Sequence, residues 1–562
     1  MTVHLMMAKT PRRNRRLRTA GQRCAATAAL TILAGTSAAN AQGRGILRDG
    51  FFWPDNLVVS RSVYDNNAKN ITVGQVLPPN CVTGCSAATN DGSYPFVWNN
   101  DIADANFGIT SKIFLDQMTP FGLPINSIEV PNSSQHGVTD KRNQLVTSFS
   151  SKSEMALNLS TDGQYLTFMG YVAPVNAVDV SNSNTPGAID STNPVPDAYF
   201  RAAAQVDRFG RFQFTMTNAY SGNNGRAAIL YDTRDGGYLY TAGNAGNGAN
   251  PQPDGILLGG GAQTLLPDDR PEIRQDPDAP TPVGSFNITE LGAAHDKLGK
   301  DNNFRGLTIF NNVLFYTKGS GGNGVNTVYF IDVTGHACPN GVGLPQSGVK
   351  LPDAPLPYDS ALLQTKGLQP NNMCILKGFP SALNSALKAK TTAYPFGIWF
   401  ANATTLYLAD EGDGNYADAG LTNAGLQKWV FNASTSQWEL AYTLQAGLGL
   451  GVTYSFPGDR LYPTGNNAAT GLPWAPVTDG LRNITGRVNR DGTVTIWGIT
   501  STVSGNGDQG ADPNKLVAIT DLLNNTSATA AQKESFRTIR TAAYGEVLRG
   551  VSFTPGSDLD QR

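Results

Sequence analysis

The chain has 562 residues, with 61 Gly, 33 Pro and only 15% charged residues, well below the quarter usual in soluble domains. Its 42 Lys and Arg against 44 Asp and Glu leave a net charge of −2, which excludes the basic excess of a nucleic-acid binder. Hydrophobic residues make up 40%, enough for a large core and against general disorder; after the first 45 residues no apolar run reaches the length of a membrane-spanning helix.

Residues 1–41 read as a signal peptide. Lys9, Arg12, Arg13, Arg15, Arg16, Arg18 and Arg23 form a basic stretch without an acid, an apolar segment spans 25–34, and Ala39-Asn40-Ala41 fits the small-residue cleavage pattern. Cleavage after Ala41 leaves 35 basic and 44 acidic residues. The expectation is an acidic, exported chain, secreted or periplasmic, running from 42 to 562 as a single domain. Cys24 leaves with the leader. The other four cysteines are expected to form disulfides in an oxidising compartment, Cys81 with Cys85 and Cys338 with Cys374. Their spacing does not suit a zinc site.

A pattern then repeats along the chain. A large residue is followed by a small one and a short apolar strand, then a turn, an aromatic-rich strand and a Gly/Asn loop. The starts lie at Met155, Arg226, Arg305, Phe396, Arg482 and Arg549, 67 to 91 residues apart. Each interval holds four strands separated by turn residues, as in 397–400, 404–409, 425–431 and 437–444. Only 381–390 reads as a helix of any length. The last unit supplies one strand before the chain ends. Three strands between 57 and 130 (57–62, 112–117 and 126–130) have no unit of their own and complete it. The expected fold is an all-β, six-bladed β-propeller whose last blade joins one C-terminal to three N-terminal strands. Seven blades and a two-domain β-sandwich are the alternatives.

The pattern, and the ending Leu548-Arg549-Gly550-Val551-Ser552-Phe553-Thr554-Pro555-Gly556 above all, resembles secreted β-propeller proteins in general. The resemblance covers the architecture from 57 to 556. It implies no single activity, so function has to come from the site.

In such a blade the start of the innermost strand and the loop after the second strand share one face. Arg226, Arg305, Arg482 and Arg549 are therefore expected to meet there as ligand-binding residues, beside Gly-rich loops that admit a ligand close to the backbone. Arginine matches a planar carboxylate with paired donors. The expected ligand is an anionic, carboxylate-bearing oligo- or polysaccharide. The alternative is that each arginine bridges to a neighbouring blade and locks the ring, with Asp301, Asp479 and Glu546 as partners, in a non-catalytic scaffold.

If the chain is an enzyme, a lyase or hydrolase, the candidate catalytic residues are His295, Glu154, Asp410 and Glu411. Tyr171, Tyr316 and Tyr544 are weaker candidates for a base. Asp410, Asp413 and Asn415 offer hard oxygens for a calcium ion, although the full EF-hand spacing is missing. A calcium-dependent, lactonase-like hydrolase is the third reading. No Gly-x-Ser-x-Gly, His-Glu-x-x-His or P-loop motif occurs. A monomer without a membrane span or nucleic-acid partner is expected.

Overall fold

The structure is a computed structural model. It describes residues 50–65, 67–70, 72–77, 86–87, 108–138, 143–148, 153–186, 197–232, 237–244, 261–267, 284–285, 303–319, 325–332, 337–338, 340–346, 351, 373–382, 393–420, 424–454, 465–466, 471–505, 512–543 and 545–557. Residues 1–41, Cys81, Cys85, His295, Asp301 and Tyr544 lie outside the described residues, as does most of the expected helix at 381–390.

Six antiparallel sheets form a six-bladed propeller. Blade 1 runs Asn158–Leu159, Tyr165–Tyr171, Arg201–Asp207 and Phe212–Thr217 from the inside outwards. Blade 2 uses Gly225–Tyr231, Tyr238–Gly243, Ala262–Leu265 and Gly284–Ser285. Blade 3 uses Phe304–Phe310, Val313–Lys318, Thr327–Ile331 and Met373–Leu376, with Val342–Gly343 added in parallel at its edge. Blade 4 uses Pro395–Asn402, Thr405–Asp410, Gly425–Asn432 and Gln437–Leu444. Blade 5 uses Val477–Val488, Thr493–Val503, Lys515–Leu522 and Arg537–Thr541.

Blade 6 closes the ring as expected. The C-terminal strand Glu546–Phe553 lies innermost and pairs along its length with Leu57–Val63. Thr110–Met118 and Pro124–Glu129 follow outwards. The C-terminal strand thereby covers the inner edge of Leu57–Val63, and the radial array leaves only short, protected edges. The only α-helix among the described residues is Ala528–Ala531, and no described helix is long and apolar enough to cross a membrane.

The core lies between blades, where alternating apolar residues of facing sheets interdigitate. Blades 2 and 3 share Tyr240, Phe304, Tyr316 and Tyr329; blades 4 and 5 share Tyr407, Leu426, Leu481 and Ile496. Cys338 and Cys374 form a disulfide at the outer edge of blade 3.

The small residue in the repeat has a direct cause. A Cβ on Gly306 would lie 2.5 Å from the Phe396 carbonyl oxygen, one on Gly397 2.5 Å from that of Arg482, and one on Gly550 2.5 Å from that of Met155. Each glycine is pressed against the backbone of the next inner strand. Ala156 occupies the same place in blade 1, where its N–H donates to the Arg226 carbonyl at 3.2 Å.

Candidate functional site

The repeated arginines sit on β-bulges. In blade 2 the register jumps between Gly225 and Ala227, leaving Arg226 out of the ladder. Blade 3 jumps between Phe304 and Leu307, around Arg305, and blade 5 between Leu481 and Ile484, around Arg482. In blade 6 two residues of the first N-terminal strand, Ser60 and Arg61, face Gly550 and Leu548, which skips Arg549. Blade 4 has the same irregularity around Phe396. A bulge turns a side chain out of its alternating position, and here it re-aims one residue per blade. Blade 1 lacks the arginine and reaches a similar end differently: its Met155 holds φ at 64°, a conformation unusual for a residue with a side chain.

The re-aimed side chains converge at the centre. Arg305 Nε lies 3.0 Å from Glu411 Oε1, and Arg482 Nε lies 3.5 Å from Glu411 Oε2. Arg305 also donates to Ser153 Oγ at 2.7 Å, which links blade 3 to the segment leading into blade 1, past blade 2. Arg226 donates to Asn303 Oδ1 and, at 3.0 Å, to the Phe304 carbonyl. Arg549 donates to Ser62 Oγ and to the Ser148 carbonyl, both at 3.1 Å. All four arginines are at most 5% exposed.

Glu154 stands beside this group. It accepts from the Tyr171 hydroxyl, from Thr147 Oγ1 at 2.5 Å and from the Ser148 N–H at 3.0 Å. Burial, with Glu154 adding to it, raises Tyr171 far above the ordinary phenol value. Burial and the nearby Arg305 charge hold Arg226 well below the usual arginine value, against the pull of Glu411 and Glu154. Arg226 forms no ion pair among the described residues, and its buried Nε has no hydrogen-bond partner there.

The other expected residues are placed differently. Asp410 is buried and accepts from the N–H groups of Tyr394 (2.9 Å) and Gly412 (3.0 Å) and from Gln427 Nε2 (3.2 Å). Asp413 accepts from the Asn415 N–H at 2.9 Å, and Asn415 contacts Asp418 and the Ala417 N–H. Asp413 and Asn415 are thus bonded within one turn, while Asp410 is also held by Tyr394 and Gln427 from outside it. Among the described residues the only three His, Cys, Asp or Glu ligand atoms gathered within 4.8 Å belong to Asp332, Cys338 and Cys374, and both cysteines are in the disulfide. Glu546 pairs with Arg61 at 2.5 Å rather than standing as a partner of a repeated arginine. Tyr316 donates to the Thr241 carbonyl inside the core.

Sequence reasoning missed Arg201. It begins the third strand of blade 1, outside the inner-strand repeat. It is fully buried and donates to the carbonyls of Tyr199 and Ser183, both at 2.9 Å, and to that of Asn223. Burial lowers it to about 10. It was also not legible that Asn483 would accept from the Val551 N–H at 2.7 Å and so tie blade 5 to blade 6.

Burial pushes the Asp410 carboxyl up to about 6 despite its two backbone donors. A carboxyl that keeps its proton longer in the folded state contributes stability below its unfolded value near 4 and loses it as the pH rises through 6. Asp410→Asn is expected to remove that part of the pH dependence, at most about 3 kcal/mol between pH 4 and 7. Urea unfolding of both proteins across that range measures it, and parallel curves would refute the assignment.

No family model matches the chain, and no curated protein matches it. Solved structures with a similar fold include the soluble aldose sugar dehydrogenase of Escherichia coli, at 11% identity and a TM-score of 0.32, covering 74% of this chain and 93% of that one. The NanB sialidase of Streptococcus pneumoniae matches at 7% and 0.33, covering 80% and 67%. The GH43 endo-arabinanase of Bacillus licheniformis matches at 10% and 0.26, covering 60% and 94%. At these values the likeness carries no argument about activity.

Proposed function

We propose that the chain is an exported β-propeller that binds a carboxylate-bearing carbohydrate at its arginine-lined centre, with Arg226 as the principal contact. The observation that supports this is the state of Arg226. It is a buried guanidinium near a second one, Arg305, and among the described residues it bonds only to a side-chain amide and a backbone carbonyl. A buried cation without a direct ion pair is costly, and a planar carboxylate supplies one with paired hydrogen bonds. Arg305 and Arg482, which share Glu411, frame that position. Export and the Gly/Asn-rich loops favour an extracellular acidic sugar as the source of the carboxylate. Cleavage of that sugar, by lyase or hydrolase chemistry, is the enzymatic extension, with Glu411 and then Glu154 as the acids that act most on Arg226 and His295 outside the described residues.

The scaffold reading has its own support: Arg305 ties three parts of the ring together through Glu411 and Ser153. One comparison separates the two. Thermal unfolding is followed with uronate oligosaccharides and with neutral ones, for the parent and for Arg226→Ala. Ligand binding predicts a rise in Tm with uronates alone and at least tenfold weaker binding in the variant, a loss of about 2 kcal/mol. The variant's own stability should change little, because removing Arg226 also relieves Arg305. A scaffold predicts no ligand shift and a clear loss of stability in Arg226→Ala.

A further inference from the structure

The end of the ring opposite the arginines holds a second feature. Between blades 3 and 4, at the hairpin turns of their inner strands, lies a cavity of about 430 Å³. Its floor is aromatic: Phe315, Phe400 and Trp438, with Leu376 beside them, all nearly buried. Phe310 stacks on Phe400 at 4.6 Å and 5° between planes, and Trp438 meets Phe400 edge-on at 6.0 Å. Asn311 and Gln346 stand among the lining residues, and none of the described lining side chains is charged.

The outer wall is built rather than casual. It is formed by Leu344 and Pro345, which follow the short parallel strand Val342–Gly343. That segment is held at its start by the Cys338–Cys374 disulfide. It is held along its length by the Ile375 N–H donating to the Gly341 carbonyl (2.9 Å) and the Lys377 N–H donating to that of Gly343 (2.8 Å). Gly343 lies against the Ala337 carbonyl, where a side chain would not fit. The opposite wall is fixed by the Trp438 N–H donating to the Lys377 carbonyl at 3.0 Å.

We infer that this cavity is a binding site for a small, uncharged, flat and mainly apolar ring compound. Three points carry it. The volume lies in the range of small-ligand sites. The aromatic floor suits stacking of a planar ring. The lining offers no charge to match an ionic ligand, while its two amides can orient one polar substituent. The inference is independent of the arginine centre.

The test uses 2-naphthol as the neutral probe and 2-naphthalenesulfonate as its charged counterpart, followed by quenching of tryptophan fluorescence and by calorimetry on the full chain. Saturable binding of 2-naphthol at least tenfold tighter than the sulfonate is expected. Ala403→Trp, at an exposed turn position lining the cavity, should weaken 2-naphthol at least tenfold with the unfolding midpoint kept. Gln346→Lys, also at an exposed lining position, should narrow the preference between the two probes at least threefold even if the tryptophan variant folds poorly. Arg226→Ala should leave binding unchanged. Equal affinity for both probes, undiminished binding to a folded Ala403→Trp, no response of the preference to Gln346→Lys, or no saturable 2-naphthol binding would overturn the inference.

Discussion

Gly550→Ala is expected to lower the stability of the ring by about 3 kcal/mol or more, at the upper end for overpacking. The added methyl would sit 2.5 Å from the Met155 carbonyl oxygen and 2.6 Å from the Leu157 amide nitrogen. Both are backbone atoms, so no rotamer change relieves the clash. The contact joins the innermost strand of blade 6 to the start of blade 1. Gly397→Ala should behave alike, facing the Arg482 carbonyl oxygen at 2.5 Å and the Ile484 nitrogen at 2.8 Å. Gly137→Ala is the control: nothing lies within 4 Å of its added methyl, and no measurable loss is expected. Chemical denaturation of the three variants decides it; a Gly550→Ala protein as stable as Gly137→Ala would mean that the inner strands sit further apart than described.

Lys428→Met should cost about 3 to 5 kcal/mol, the range for removing one partner of a buried ion pair. Lys428 is fully buried, 2.9 Å from Asp521 Oδ2 across the interface of blades 4 and 5. Its ammonium also donates to the Leu522 carbonyl at 2.7 Å and to the Tyr442 hydroxyl at 3.1 Å. Tyr442 in turn donates to Asp521 Oδ1 at 2.7 Å, and Tyr407 donates to its other oxygen. Burial and the neighbouring Asp521 push the Glu534 carboxyl up to about 8. Because that acid holds its proton more tightly when folded, its contribution is present below about 4.5 and declines as the pH rises through 8. Without Lys428 the two acids face each other with no cation, so the cost of the substitution should grow from pH 6 to pH 9. Lys428→Met combined with Asp521→Leu should recover more than half of the loss, since apolar replacement of a whole buried pair is often tolerated. A single variant that loses less than about 1 kcal/mol at both pH values would contradict this account.

The architecture could be read from the sequence because its repeat is enforced by packing. A glycine or alanine follows five of the six large residues, Asn483 being the exception; this is what the approach of adjacent inner strands demands, and that requirement survives when loops diverge. The same logic assigned the three early strands to the last blade, since a ring leaves no strand without a neighbour. The site was only half legible. The four arginines stood out through their place in the repeat, but the bulges that aim them depend on how many residues the partner strand offers, which one strand alone does not reveal. Glu411 was visible as an acid near the right face; that it would be shared by Arg305 and Arg482 was not, because their partnership joins residues of three blades. Arg201 and the Lys428–Asp521 cluster lie at positions that do not repeat, so no periodicity announced them.

The shared blade also fixes the order in which the molecule can be completed. Leu57–Val63 gains its inner neighbour only when Glu546–Phe553, made long after it, is present. During synthesis blades 1 to 5 can assemble from contacts close in sequence, while the first three strands wait with one edge open. Closing that gap joins residues almost 500 positions apart, a loop whose entropy is met only once the other blades have shortened the distance. The final strand therefore acts as a late clasp. Shortening the chain before residue 546 would leave an aggregation-prone edge on an otherwise formed array, instead of a smaller stable protein.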